Sequence, residues 1–160
     1  MQRKKQTQLE LLTGKKTKKK RKIKKPPPVI VPKFRIQDEG RRLILLLEGY
    51  RLPSRANIQE HWTAKAKRTK EQRQGIKTIL NTAEFSPKLP IIVTLCRIAP
   101  RQLDSDDNIT MAFKAIRDGI TDYLGLTNDD DIRLNWKYDQ QSAAPRYHAI
   151  RVTLDCPPID

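Results

Sequence analysis

Six aspartates stand in two tight groups: Asp104, Asp106 and Asp107 within four residues, and Asp129, Asp130 and Asp131 in a row. Carboxylates this close repel one another and raise each other's pKa unless a cation sits among them. Mg2+ suits such a set, because it takes a few carboxylate oxygens and keeps several of its waters. The chemistry indicated is metal-assisted hydrolysis at a phosphate. Lys114 lies seven residues beyond Asp107, nearly on the same helix face, and its stem would lean toward the helix N-terminus. There its ammonium can hold a phosphate oxygen and stabilise the charge that develops on it. An i,i+4 pair with Asp118 accounts for the same lysine equally well.

Plainer uses exist for the aspartates too. At a helix start they cap free amides and complement the macrodipole, and NDDD at 128–131 reads as a polar turn after Gly125. A calcium loop of EF-hand type is excluded: counting from Asp104, Ile109 stands where glycine is needed and Ala115 where glutamate is needed. Two cysteines (Cys96, Cys156) and two histidines (His61, His148) are too few and too scattered for a zinc site. Cys96, inside an apolar run, reads as a small core residue.

The elements that must position these groups alternate strand, helix, strand, helix, strand, strand. RRLILLLE at 41–48 is short, apolar and bounded by Gly40 and Gly49, as a buried strand is; residues 29–33 before it form an extended lead-in. A helix is predicted from Asn57, an N-cap with Glu60 placed to complete a capping box, to about Ala83. Trp62, Ala66, Ile76, Ile79, Leu80 and Ala83 would face the core. Six cations stand against the single anion Glu71 between Ala64 and Lys77, an imbalance that suggests a surface tracking phosphates through Lys65, Arg68 and Arg73. IIVTLCRI at 91–98 is a second buried strand.

A second helix is predicted over residues 107–124, with Ile109, Ala112, Phe113, Ile116, Ile120, Tyr123 and Leu124 on one stripe and Gly125 as its stop. Residues 132–139 and 146–154 alternate apolar and polar, and QQSAAP between them predicts a hairpin. The fold class is therefore α/β or α+β: a small mixed β-sheet packed against two helices. A helix of about 18 residues spans roughly 27 Å. The two acidic groups would lie at its opposite ends unless the chain after Gly125 folds back or a second subunit supplies one of them.

The chain has 160 residues and a formal net charge of +15. Residues 1–28 carry +11 of it and the remainder only +4. KKTKKKRKIKKPPP, ending at Pro28, repels itself and has almost nothing apolar to bury, so residues 1–28 are expected to be a disordered basic tail and 29–160 the domain. A polyanion is the natural partner of such a tail, with nucleic acid the commonest; a localisation or solubilising tag would look the same. No window approaches the roughly 18 apolar residues of a membrane span, and the N-terminus lacks the apolar stretch of a secretory signal. A soluble, reduced, intracellular protein is expected.

Three motifs occur in order: Pro53-Ser54-Arg55-Ala56-Asn57 before a helix, LDSDDN at 103–108 followed by KAIRDGI at 114–120, and NDDDI at 128–132. Together they make residues 52–154 resemble the RusA family of Holliday junction resolvases. The resemblance implies a RusA-like fold and a homodimer dependent on Mg2+, with Mn2+ as a substitute, that resolves four-way DNA junctions by paired phosphodiester hydrolysis in recombination and repair. It places two metal-binding aspartates among Asp104, Asp106 and Asp107, a third at Asp130, and the essential lysine at Lys114. It also implies a bacterial or phage-encoded protein of the cytoplasm and nucleoid, or of the nucleus in a eukaryotic host. Asn108 and Lys114 are six residues apart where better-known members have three. The competing expectation is a non-catalytic, basic nucleic-acid-binding protein whose aspartates are caps and turns; a flap or single-strand nuclease would use the same site.

Overall fold

The computed structural model describes residues 33–52, 61–103 and 105–158, the side chains of Ser105, Asp106 and Asp107 excepted. The basic tail, the Pro53–Asn57 motif, Glu60 and Asp104 therefore lie outside the described residues.

Among the described residues, five strands and three helices form a mixed α+β fold: β1 (Lys33–Asp38), β2 (Arg42–Glu48), α1 (Trp62–Leu80), β3 (Ile91–Ala99), α2 (Ser105–Ala112), α3 (Lys114–Tyr123), β4 (Leu134–Ser142) and β5 (Ala149–Asp155). The strands lie in one sheet in the order β1-β2-β5-β3-β4. All neighbours run antiparallel except β3 and β4, which are parallel. Parallel neighbours need a crossover, and α2 with α3 supplies it.

Strand periodicity sets the core. Leu43, Leu45 and Leu47 of β2, Ile91, Val93 and Leu95 of β3, and Ile150, Val152 and Leu154 of β5 share one face and are buried against Ile76 and Leu80 of α1, Phe113 between α2 and α3, and Ile116 and Ile120 of α3. A smaller cluster, Cys96, Ile98 and Ala149, sits on the opposite face. α1 and α3 approach so closely at Gly119 that a β-carbon there would come within 2.5 Å of the Arg73 carbonyl oxygen.

Several expectations are corrected. The hairpin between the last two strands does not form, because β3 lies between β4 and β5, and Gln140, Gln141 and Ser142 continue β4 as a strand. Alternation identifies a strand but not its partner. The lead-in ends in a strand of its own, β1, whose Phe34 and Ile36 pair opposite Leu47 and Leu45. Ile132 precedes β4 and is 97% exposed. The helix stripe after β3 is buried as predicted, yet it belongs to two helices that break at Phe113, inside the interval between Asn108 and Lys114.

α1 begins at Trp62 with His61 as its N-cap, five residues after Asn57. Its C-terminal half packs on α3 and the sheet, while its N-terminal half does not: Trp62 is 74% exposed and Ala66 is exposed as well. No helix among the described residues is long and apolar enough to cross a membrane.

Candidate active site

The loop after α3 brings the second acidic group back to the start of that helix. α3 has ten residues and rises about 15 Å, a distance that the residues from Leu124 to Asp129 can retrace when extended. The retraced chain is pinned by Trp136 of β4, whose indole Nε1 donates to the Asp129 carbonyl oxygen at 2.7 Å. The Asp129 carboxylate then meets Lys114 at 2.8 Å and Arg117 at 3.0 Å. Lys114 also reaches Asp118 at 3.0 Å, so the i,i+4 pair and the longer-range contact form together. Arg117 lies over the Trp136 ring, 5.1 Å from its centroid, and its Nε is buried with no hydrogen-bond partner among the described residues.

Leu103, the residue before the first acidic group, is tied to the same strand. The Leu103 amide donates to the Gln140 side chain at 2.7 Å, and the Gln140 amide returns a bond to the Leu103 carbonyl at 3.1 Å. Trp136 and Gln140 point to one face of β4, four residues and roughly 13 Å apart. Tyr138 lies between them against Phe113, with ring centroids 6.2 Å apart. Asp106 and Asp107 open α2 immediately beyond Leu103. One strand face thus anchors Asp129 and Leu103, with Lys114 at its Asp129 end.

Burial pushes the Asp129 carboxyl up, but the Lys114 hydrogen bond and the Arg117 charge outweigh it and hold the group below the usual carboxylate range. The same bond to Asp129, helped by Asp118 and opposed by burial, raises the Lys114 ammonium. At neutral pH the site therefore holds fixed charges, cations and carboxylates side by side. Asp130 is exposed and lines a cavity of about 230 Å³ with Thr127, Asn128, Asp131 and Arg133. Asp131 is turned to Arg133, whose side-chain and backbone bonds lower its carboxyl to about 2. Of the run 129–131, Asp129 is the member that meets Lys114.

Carboxylate oxygens are the donors that a hard divalent cation takes. Asp118 and Asp129, from separate segments, already converge on a single cationic nitrogen, that of Lys114. Among the described residues no three His, Cys, Asp or Glu side chains group as metal ligands.

The three helix cations take different positions. Lys65 is exposed and borders a surface hollow with Trp62, Ala66, Thr69 and Lys70 that ends at Asp118. Arg68 is half-buried and lines a groove with Tyr50, Arg51 and Gln72. Arg73 is clamped to Asp122 of α3 through two nitrogens, Nη2 at 2.7 Å, and so joins two helices while staying about half exposed at the surface. Sequence reasoning missed Asp129 as the inward member of its run, and it missed Arg117, Trp136 and Gln140. Arg117 carried a signal, since it is one residue before Asp118 and one turn beyond Lys114. The anchoring roles of Trp136 and Gln140 carried none.

No protein-family model matches the chain, and no curated protein matches it significantly. Among solved structures it is similar to the OmpA-like domain of FopA1 from Francisella tularensis subsp. tularensis SCHU S4, at 15% identity over 79% of this chain and 81% of that one. The TM-score of that comparison is 0.33.

Proposed function

We propose that the protein is a Mg2+-dependent, structure-selective DNA endonuclease that resolves four-way junctions as a homodimer. The observation that supports this reading is the anchoring of Asp129, beside Lys114, and of Leu103, next to residues 104–107, to one face of β4. The motif resemblance to RusA resolvases supports it independently of the geometry.

In this reading Asp129, with Asp104, Asp106 and Asp107, would hold the metal, and Mn2+ would substitute for it. When bound, the ion supplies Lewis-acid activation of the phosphate and a lowered pKa for the attacking water. The water oxygen bonds to phosphorus, the P–O3′ bond breaks, and the 3′-oxygen leaves with a proton. Lys114 turns its ammonium from the carboxylates to a non-bridging oxygen and offsets the charge that builds there. Arg117, packed on Trp136, keeps Asp129 oriented and ionised. Lys65 and Lys70 neutralise backbone phosphates beside the site, and Trp62 offers an exposed ring on which an unpaired base can stack.

The second reading, a nucleic-acid-binding protein with structural aspartates, is favoured by the pairing of Asp129 and Asp131 with basic partners. A labelled four-way junction incubated with Mg2+, Mn2+ or EDTA separates the two. The nuclease nicks only with metal, and Asp129→Asn and Lys114→Met each slow nicking on the order of 100-fold or more, while Asp130→Asn slows it less. Tight junction binding without nicking in either metal establishes the second reading. Branched substrates other than four-way junctions, cut at equal rates, would replace resolution with a flap or single-strand activity.

A further inference from the structure

Arg97 is the only charged residue that is buried among the described residues, with 8% of its surface exposed. It continues the helix-covered face of β3 beyond Val93 and Leu95, paired across the sheet with Ile150 and Gln140. Its Nε donates to the Leu52 carbonyl at 3.3 Å and its Nη1 to the Arg101 carbonyl at 2.6 Å. Nη2 has no hydrogen-bond partner among the described residues, and no described carboxylate forms an ion pair with the guanidinium. Carbonyl dipoles orient a cation, but they do not cancel its charge.

The charges that do reach Arg97 have its own sign. Burial, and then the nearby Arg51, push its pKa down. His148 is lowered in the same way, first by burial and then by Arg51 and Arg97. Arg51 and Arg97 form a cationic corner with no counter-charge among the described residues. It adjoins the chain that leads to the first acidic group: Arg101 accepts from Arg97, and the cross-strand neighbour Gln140 holds Leu103.

We propose that Arg97, with Arg51 beside it, is a phosphate-binding subsite that takes a backbone phosphodiester neighbouring the one cut at the proposed active site. The inference rests on the nuclease reading for its ligand. A planar guanidinium with two nitrogens tied to carbonyls is already aimed, and its remaining edge matches phosphate oxygens in a way that a lysine ammonium does not. The phosphodiester would supply the negative charge that the corner lacks. Arg51, being exposed, would meet the same strand from the solvent side.

The test is fluorescence anisotropy of a labelled DNA junction in EDTA, across about 50–200 mM KCl, with thermal melting of each variant. Arg97→Met and Arg51→Gln should each weaken binding several-fold and lower the salt slope by about one. Arg97→Met should keep or raise Tm, because it removes a buried charge without a counter-charge. An unchanged slope with a lowered Tm would make Arg97 a strut for the Leu52 and Arg101 carbonyls and overturn the subsite.

If Arg97→Met does not fold, Arg51→Gln and Arg97→Lys decide. An unchanged slope in Arg51→Gln overturns the proposal. A retained slope with weaker binding in Arg97→Lys supports it. EDTA removes catalysis from the readout. A protein that binds DNA through Arg97 yet nicks nothing keeps the subsite and loses the nuclease, and one that nicks with the slope unmoved loses only the subsite.

Discussion

Paired charges in this molecule do different work according to burial. Arg73 and Asp122 are partly exposed, and their bidentate contact joins α1 to α3. The Arg73 bond holds the Asp122 carboxyl below its ordinary range, against a smaller opposing effect of burial. A depressed carboxylate contributes stability that is complete above its unfolded pKa, near 4, and is lost as pH falls through the lower folded value. Asp122→Asn should therefore cost about 1 kcal/mol or less in urea unfolding at pH 7. The difference from the parent should shrink steadily as pH falls below about 4. A difference that stays constant down to pH 2 would show that the pair contributes through packing instead of charge. Lys114 and Asp129 differ in setting, because Asp129 is more deeply enclosed and is shared by two cations. There the arrangement serves the proposed chemistry more than the fold.

Among the elements, the contact of α1 with α3 decides whether the site is assembled. Lys114 and Arg117 stand on α3, and α3 is seated by Gly119 against the Arg73 carbonyl. Gly119→Ala should destabilise the protein by about 1–3 kcal/mol, the usual cost of overpacking, read as a lower urea midpoint. It should also slow any junction nicking, because α3 would be displaced along with its lysine. Full stability in the alanine variant would mean that the helices part without cost. Elements differ in how far the sequence revealed them. The apolar stripe from Ile109 to Leu124 was legible because helical spacing depends only on local geometry. The break at Phe113 was not, since both halves keep the stripe in phase with the core. Trp62 and Ala66 fit the α1 stripe equally well, yet they are exposed because the helix begins beyond the packed region.

For the whole molecule, charge is divided between a strongly basic N-terminal segment and a domain close to balance. Deleting residues 1–28 should reduce affinity for any DNA and flatten its salt dependence, because as many as about a dozen phosphate contacts go with it. An unchanged slope in a salt titration would assign the segment to another task. The domain's own share should persist through Lys65, Lys70 and the Arg51–Arg97 corner. What the sequence alone determined were the quantities local in the chain: which residues alternate, which stripes are apolar, where acidic residues crowd and where positive charge accumulates. The tertiary structure decided what meets what. It set β3 between β4 and β5, turned Asp129 instead of Asp130 toward Lys114, and left Arg97 buried with no anion beside it among the described residues. Those outcomes depend on strand order and on the path of the loop after Gly125. Both follow from the packing of segments distant in sequence, which no local pattern encodes.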